Sequence, residues 1–174
     1  NVEATINLLE FSRLTKNKDF HYISTAATLF EKRHDEKNYI IFDEGDDPDF
    51  IIKSTLYGKT KYMGESLVIK YRSNGVRSHI YRVGNLAFIG KTNQLQENIE
   101  DNAFYHWLKN LIGMKAIAKE IASVDITPAD WAAEAIVRLF DKADLINQVF
   151  HVFNPYRFDL SSATVDSSAR ESSG

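Results

Sequence analysis

Tyr57 and Lys61, in the run Tyr57-Gly58-Lys59-Thr60-Lys61, have the spacing best suited to proton-transfer chemistry in this chain. Residues four apart on a helix project from one face. A free phenol titrates at about 10 and is a poor proton donor or acceptor at neutral pH. A nearby ammonium favours the phenolate and brings such a group toward the working range. The same ammonium can hold a ribose hydroxyl. Two more polar clusters lie where they could join the pair. Ser24 and Thr25 end an upstream strand, where a hydroxyl can hydrogen-bond a carbonyl oxygen and stabilise its developing charge. Arg82-Val83-Gly84-Asn85-Leu86 ends the next strand downstream. Ligands of open α/β sheets bind beyond the carboxyl ends of the strands, so the three clusters are expected to converge on one crevice.

The elements that must position these residues read as α/β. Residues 1–11 form an amphipathic helix already under way, with Ile6, Leu9 and Leu14 among its apolar positions. A chain that opens inside a helix reads as a fragment or excised subdomain. Residues 20–25 are a short aromatic and β-branched strand. Residues 31–55 are polar and acidic and read as a long loop, with a short extended piece at 39–42. Helical periodicity runs over residues 57–73 and stops at the cap Asn74-Gly75. Residues 78–83 are the next strand and 98–112 an amphipathic helix. Thr127 as N-cap and Pro128 at the first helical position open a helix that runs to Phe140. The last strand is 149–153. Alternating strands and helices predict a parallel sheet covered by helices. The Ser-rich residues 157–174 are expected to be a flexible tail, leaving 1–156 as one domain.

Composition narrows the function classes. The 174 residues carry a net charge of −3, without the basic stripe of a nucleic-acid binder. No apolar run is long enough to span a bilayer. The absence of cysteine excludes disulfides, thiolate catalysis and Cys-based zinc sites, and fits a cytoplasmic protein. Gly58-Lys59-Thr60 and Gly90-Lys91-Thr92 resemble the end of a phosphate-binding loop, but Lys53 and Asn85 stand where its first glycine is needed. The five histidines lack metal-ligand spacing, so no metal site is expected. Trp107 and Trp131 read as core or interface aromatics.

Taken together, these motifs resemble the extended short-chain dehydrogenase/reductases, specifically the thioester reductase domains that terminate nonribosomal peptide synthetases. The likeness rests on Asn1-Val2-Glu3-Ala4-Thr5, His21-Tyr22-Ile23-Ser24-Thr25, the run from Tyr57 through Tyr62-Met63-Gly64-Glu65, and Tyr81-Arg82-Val83-Gly84-Asn85-Leu86. Gln96-Glu97-Asn98-Ile99, Asn102-Ala103-Phe104-Tyr105, Ile126-Thr127-Pro128-Ala129-Asp130 and Phe150-His151-Val152-Phe153-Asn154-Pro155 extend it over nearly all of residues 1–156.

The resemblance implies a Rossmann-like fold with a small helical substrate-binding portion. Tyr57 would be the general acid and Lys61 the group that activates it and binds the nicotinamide ribose. Thr25 would complete the triad, with Ser24 beside it as an alternative. Asn1 falls where the superfamily has a site-organising asparagine. Residues 82–86 would lie along the nicotinamide and substrate crevice, with Asn85 in polar contact. NADPH is the family's cofactor, although the glycine-rich turn that binds it and the residue that selects it are not in this chain. The implied partners are a phosphopantetheine-bearing carrier domain with its acyl thioester, and the missing amino-terminal half of the reductase. The implied reaction is reductive release of an aldehyde, and on second reduction an alcohol. Two other readings share these residues: an extended reductase acting on a nucleotide sugar or fatty acyl group, and a non-catalytic docking or substrate-recognition subdomain.

Overall fold

The computed structural model describes residues 2–14, 18–28, 56–113 and 123–160. Asn1 and the expected loop over 31–55 lie outside them. The chain divides into two compact units, Asn1–Gly84 with Glu134–Val152, and Asn85–Ala133 with Phe153–Gly174. One domain was expected from the sequence. No helix among the described residues is long and apolar enough to cross a membrane.

In the first unit, helix α1 (Val2–Arg13) buries Thr5, Leu9 and Ser12. The buried stripe therefore runs through two hydroxyl residues, and Leu14 points to solvent. Ser12 can be buried because its hydroxyl donates to the Leu9 carbonyl at 2.7 Å, so no polar hydrogen is stranded. Helix α2 (Leu56–Arg72) ends as its sequence requires. Gly75 adopts φ +84°, and the amides of Gly75 and Val76 return to the carbonyls of Arg72 and Tyr71. Only glycine takes that left-handed conformation without strain, and both bonds satisfy carbonyls that the helix end would otherwise leave bare.

Strands β1 (Phe20–Thr25) and β2 (Ser78–Val83) pair in parallel across the α2 crossover, with His21 opposite His79 and Thr25 opposite Val83. A later strand, Val149–Val152, lies on the far side of β2, giving a three-stranded parallel sheet with β2 at its centre. Side-chain alternation divides the two faces. Ile80 turns toward the helices and packs with Leu9, Val68 and Val76, against which Phe20, Tyr22 and Val149 also rest. Each such fully buried aliphatic contributes roughly 1.5–3 kcal/mol. All six β2 residues are buried, although four are polar or carry a polar tip.

The opposite sheet face carries an aromatic stack. The His21 ring lies 5.2 Å from that of His79 and 4.2 Å from that of Phe140. His21 Nδ1 and the Tyr81 hydroxyl are 2.9 Å apart, while His79 Nδ1 is buried without a hydrogen-bond partner. Burial lowers the pKa of both histidines below 6.5, against an opposing pull from Asp19. Folded pKa values below the unfolded value mean that the unfolded chain binds more protons on acidification. The stability these neutral rings contribute is thus complete above the unfolded pKa and is lost as pH falls below it. The thermal midpoint is expected to drop from about pH 7 to about pH 5.5, before most carboxylates titrate. A pH series of melting curves checks this, and His79→Phe should flatten the slope.

In the second unit, helix α3 (Ala103–Gly113) starts later than expected. Residues Ile99–Asp101 form a 3-10 turn, and the Asn102 side-chain oxygen accepts the Tyr105 amide at 3.1 Å as the true cap. A short antiparallel pair, without a counterpart among the strands expected from the sequence, joins β3 (Ser123–Asp125) to Arg157–Asp159. In chain order the Val149–Val152 strand is β4 and Arg157–Asp159 is β5. Residues 157–160, placed in the expected tail, thus carry β5, and Leu160 packs with Leu111 and Val124, while 161–174 lie outside the described residues. This unit thus combines helices with a two-stranded antiparallel sheet.

Helix α4 (Ala129–Phe140) begins one residue beyond the expected Pro128. The Thr127 hydroxyl does not cap it; that oxygen accepts the Asn154 amide at 2.9 Å. Asp130, in the first turn, takes the Gly90 and Lys91 amides, and those hydrogen bonds lower its pKa. Trp107 stacks on Phe104 at 5.7 Å and Trp131 remains 49% exposed, so neither is a core residue.

Candidate active site

Because α2 opens at Leu56, Tyr57 and Lys61 stand on its first two turns. Tyr57 is 55% exposed, a high value for so large an apolar ring. The Lys61 ammonium donates to the Ile23 carbonyl at 2.9 Å and lies 5.5 Å from the centre of the Tyr22 ring. This fastens α2 to the carboxyl end of β1, two residues before Thr25. Burial lowers the Lys61 pKa below its ordinary value, and the Glu65 carboxylate pulls it back up.

Thr25 closes β1 and leads into a 3-10 turn, Ala26–Thr28. Its hydroxyl oxygen accepts the Ala27 amide at 3.2 Å, which leaves the hydroxyl hydrogen able to donate to a substrate oxygen. Ser24 faces the other way: its oxygen is buried and has no hydrogen-bond partner. Of the two hydroxyls, Thr25 is the accessible one among the described residues.

Three further residues matter here that the sequence did not single out for a role of their own. Tyr22 packs directly on α2 at Gly64, where a Cβ would lie 2.0 Å from the Tyr22 hydroxyl oxygen. Burial raises the pKa of that phenol, and the Glu65 charge adds to the effect. Gly64→Ala is expected to cost about 1–2 kcal/mol net, since overpacking of up to about 3 kcal/mol outweighs the roughly 1 kcal/mol gain in helix propensity. Urea unfolding checks this, and an unchanged midpoint would contradict it.

The other two are Thr28 and Glu65. Glu65 and Arg82 are each 1% exposed and are joined at 2.9 Å, with a second contact from Arg82 Nε at 3.2 Å. Arg82 was expected along the crevice with residues 83–86. Strand alternation instead sends it, like Ile80, to the helix-facing side of β2. One signal for Glu65 was present: it lies four residues after Lys61, on the same helix face.

Asn85 belongs to the second unit. Its amide donates to Asp125 Oδ1 at 2.8 Å, and its backbone N–H donates to Oδ2 at 2.9 Å. A cavity of about 220 Å³ in the same unit has an apolar lining that includes Leu86, Phe88, Leu95, Ile99 and Leu108.

The donor set of the first unit suits a nicotinamide ribose. An exposed phenol and an ammonium stand one turn apart, and the ammonium is fastened to the strand that ends in Thr25, whose hydroxyl hydrogen is available. Residues 1–136 match the model of the NAD-binding family described as Male sterility protein. A linear gramicidin synthase of Brevibacillus parabrevis is 25% identical over 159 residues, covering 91% of this chain and 3% of that one. A thiolation-reductase di-domain from an archaeal nonribosomal peptide synthetase is 26% identical, with a TM-score of 0.76 over 91% of this chain and 34% of that chain. The reductase domain of the Aureusimine biosynthetic cluster is 24% identical, with a TM-score of 0.75 over 93% of this chain and 44% of that chain. The chain thus spans less than half the length of these solved relatives. The chain belongs to the NAD-binding family described as Male sterility protein, and it is similar to reductase domains of nonribosomal peptide synthetases.

Proposed function

We propose that this chain supplies the catalytic residues of an NADPH-dependent reductase that releases a carrier-bound acyl or peptidyl thioester as an aldehyde. The observation that carries this reading is the Lys61 ammonium, one helical turn from Tyr57, held at 2.9 Å on the carbonyl of Ile23, two residues before Thr25 in the same strand. The nicotinamide, when bound, supplies the hydride. Thr25 and Tyr57 donate hydrogen bonds to the thioester carbonyl oxygen, where negative charge develops. Tyr57 passes its proton to that oxygen, and Lys61 stabilises the phenolate left behind while holding a ribose hydroxyl. Collapse of the tetrahedral adduct expels the phosphopantetheine thiol and leaves the aldehyde; a second hydride and proton give the alcohol. The remaining cofactor-binding residues come from an amino-terminal half of the reductase.

The test uses the intact reductase with an acyl thioester on a phosphopantetheinylated carrier domain. NADPH consumption and free thiol should rise together, faster than with NADH. A reductase that leaves both the cofactor and the thioester untouched would overturn the proposal.

A further inference from the structure

Thr28, Glu65 and Arg82 form a continuous buried polar path through the first unit, and nothing in the proton-transfer scheme uses it. The Thr28 hydroxyl lies 2.8 Å from the Thr25 carbonyl and 3.1 Å from Glu65 Oε1, so its single hydrogen is shared between them. Thr28 is 3% exposed. The opposite carboxylate oxygen, Glu65 Oε2, takes Arg82 Nη2 at 2.9 Å and Nε at 3.2 Å. Three elements meet in this path: the turn that follows Thr25, the helix that bears Tyr57 and Lys61, and the central strand.

Two ions taken wholly out of water are a costly way to hold a core together, because apolar residues of similar volume do it as well or better. What an apolar cluster does not supply is angle. A guanidinium fork on a carboxylate fixes both the distance and the rotation of its partners. Glu65 lies four residues after Lys61 and eight after Tyr57, so a fixed Glu65 sets the rotation of the face that bears both. Thr28 then ties the strand end that carries Thr25 to the same carboxylate.

We propose that the buried path Thr28–Glu65–Arg82 is a positioning device that holds the Thr25 hydroxyl in register with Tyr57 and Lys61. This rests on the reading of those three residues as the reacting groups. None of the path residues touches substrate; they act through Thr25 and α2. Loss of this register misplaces a donor aimed at the carbonyl oxygen, so it lowers turnover rather than binding.

Changing Glu65 or Arg82 threatens the fold, so the test is made at Thr28. Thr28→Val keeps the volume and removes the hydroxyl, and Thr28→Ser keeps the hydroxyl and removes a methyl group. In the intact reductase with carrier-bound acyl thioester, Thr28→Val is expected to lower kcat about tenfold. Its KM values for NADPH and thioester should stay within about twofold, and Thr28→Ser should recover most of the rate. An unchanged kcat in Thr28→Val, or a fall that Thr28→Ser does not restore, overturns the positioning role while leaving the reductase reading intact. Absence of turnover in the unsubstituted enzyme overturns that reading, and the positioning role with it.

Discussion

Tyr57→Phe is expected to lower kcat of the intact reductase by roughly a hundredfold to ten-thousandfold, the usual contribution of a general acid. The substitution removes one oxygen from a ring that is already 55% exposed, so folding should be unaffected. Cofactor affinity should change little, because Lys61 keeps its seat on Ile23. The loss then falls on kcat and kcat/KM alike, as it does for a contact made only in the transition state. Steady-state oxidation of NADPH at saturating thioester measures it. A loss below about threefold would assign the proton to another donor.

Glu65→Ala is expected to be the most damaging single change to stability. It strands a guanidinium that is 1% exposed, and breaking a buried pair from one side costs about 3–5 kcal/mol. A domain with about 5–15 kcal/mol of total stability loses much of its margin. Replacing both partners, as Glu65→Leu with Arg82→Met, should restore most of the loss, because no charge is left buried alone. Urea unfolding of the two variants gives the comparison. Equal destabilisation in both would show that the site depends on the pair itself, beyond the cost of an orphaned ion.

Much of the first unit was legible because its signals are local. The strand at 20–25 and the strand at 78–83 match their expected bounds to the residue, and Asn74-Gly75 announced the end of α2 through one residue's tolerance of positive φ. Thr25, Tyr57 and Lys61 stand out by residue type and spacing, and the structure sets Lys61 against the strand that ends in Thr25. Part of what was missed depends on partners distant in sequence. Thr127 is an ordinary N-cap by type, yet its hydroxyl is taken by Asn154, 27 residues away. Asn98 and Asn102 are both good caps by type, and only the Tyr105 amide decides for Asn102. Strands β3 and β5 are three residues each and have no periodicity to betray them. Arg82 was misplaced for a different reason. A charged residue near a strand end suggests a ligand, whereas alternation and a helix carboxylate 17 residues away made it a core ion pair.

In the proposed reaction, hydride passes from a nicotinamide to a thioester carbon while Tyr57 protonates the oxygen. The most direct measurement is mass spectrometry of the aldehyde made by the intact reductase from NADPH deuterated at the transferring carbon. One deuterium is expected on the aldehyde carbon with the unsubstituted enzyme, and almost no labelled product with Tyr57→Phe. An unlabelled aldehyde, or full labelling undiminished in Tyr57→Phe, would contradict it.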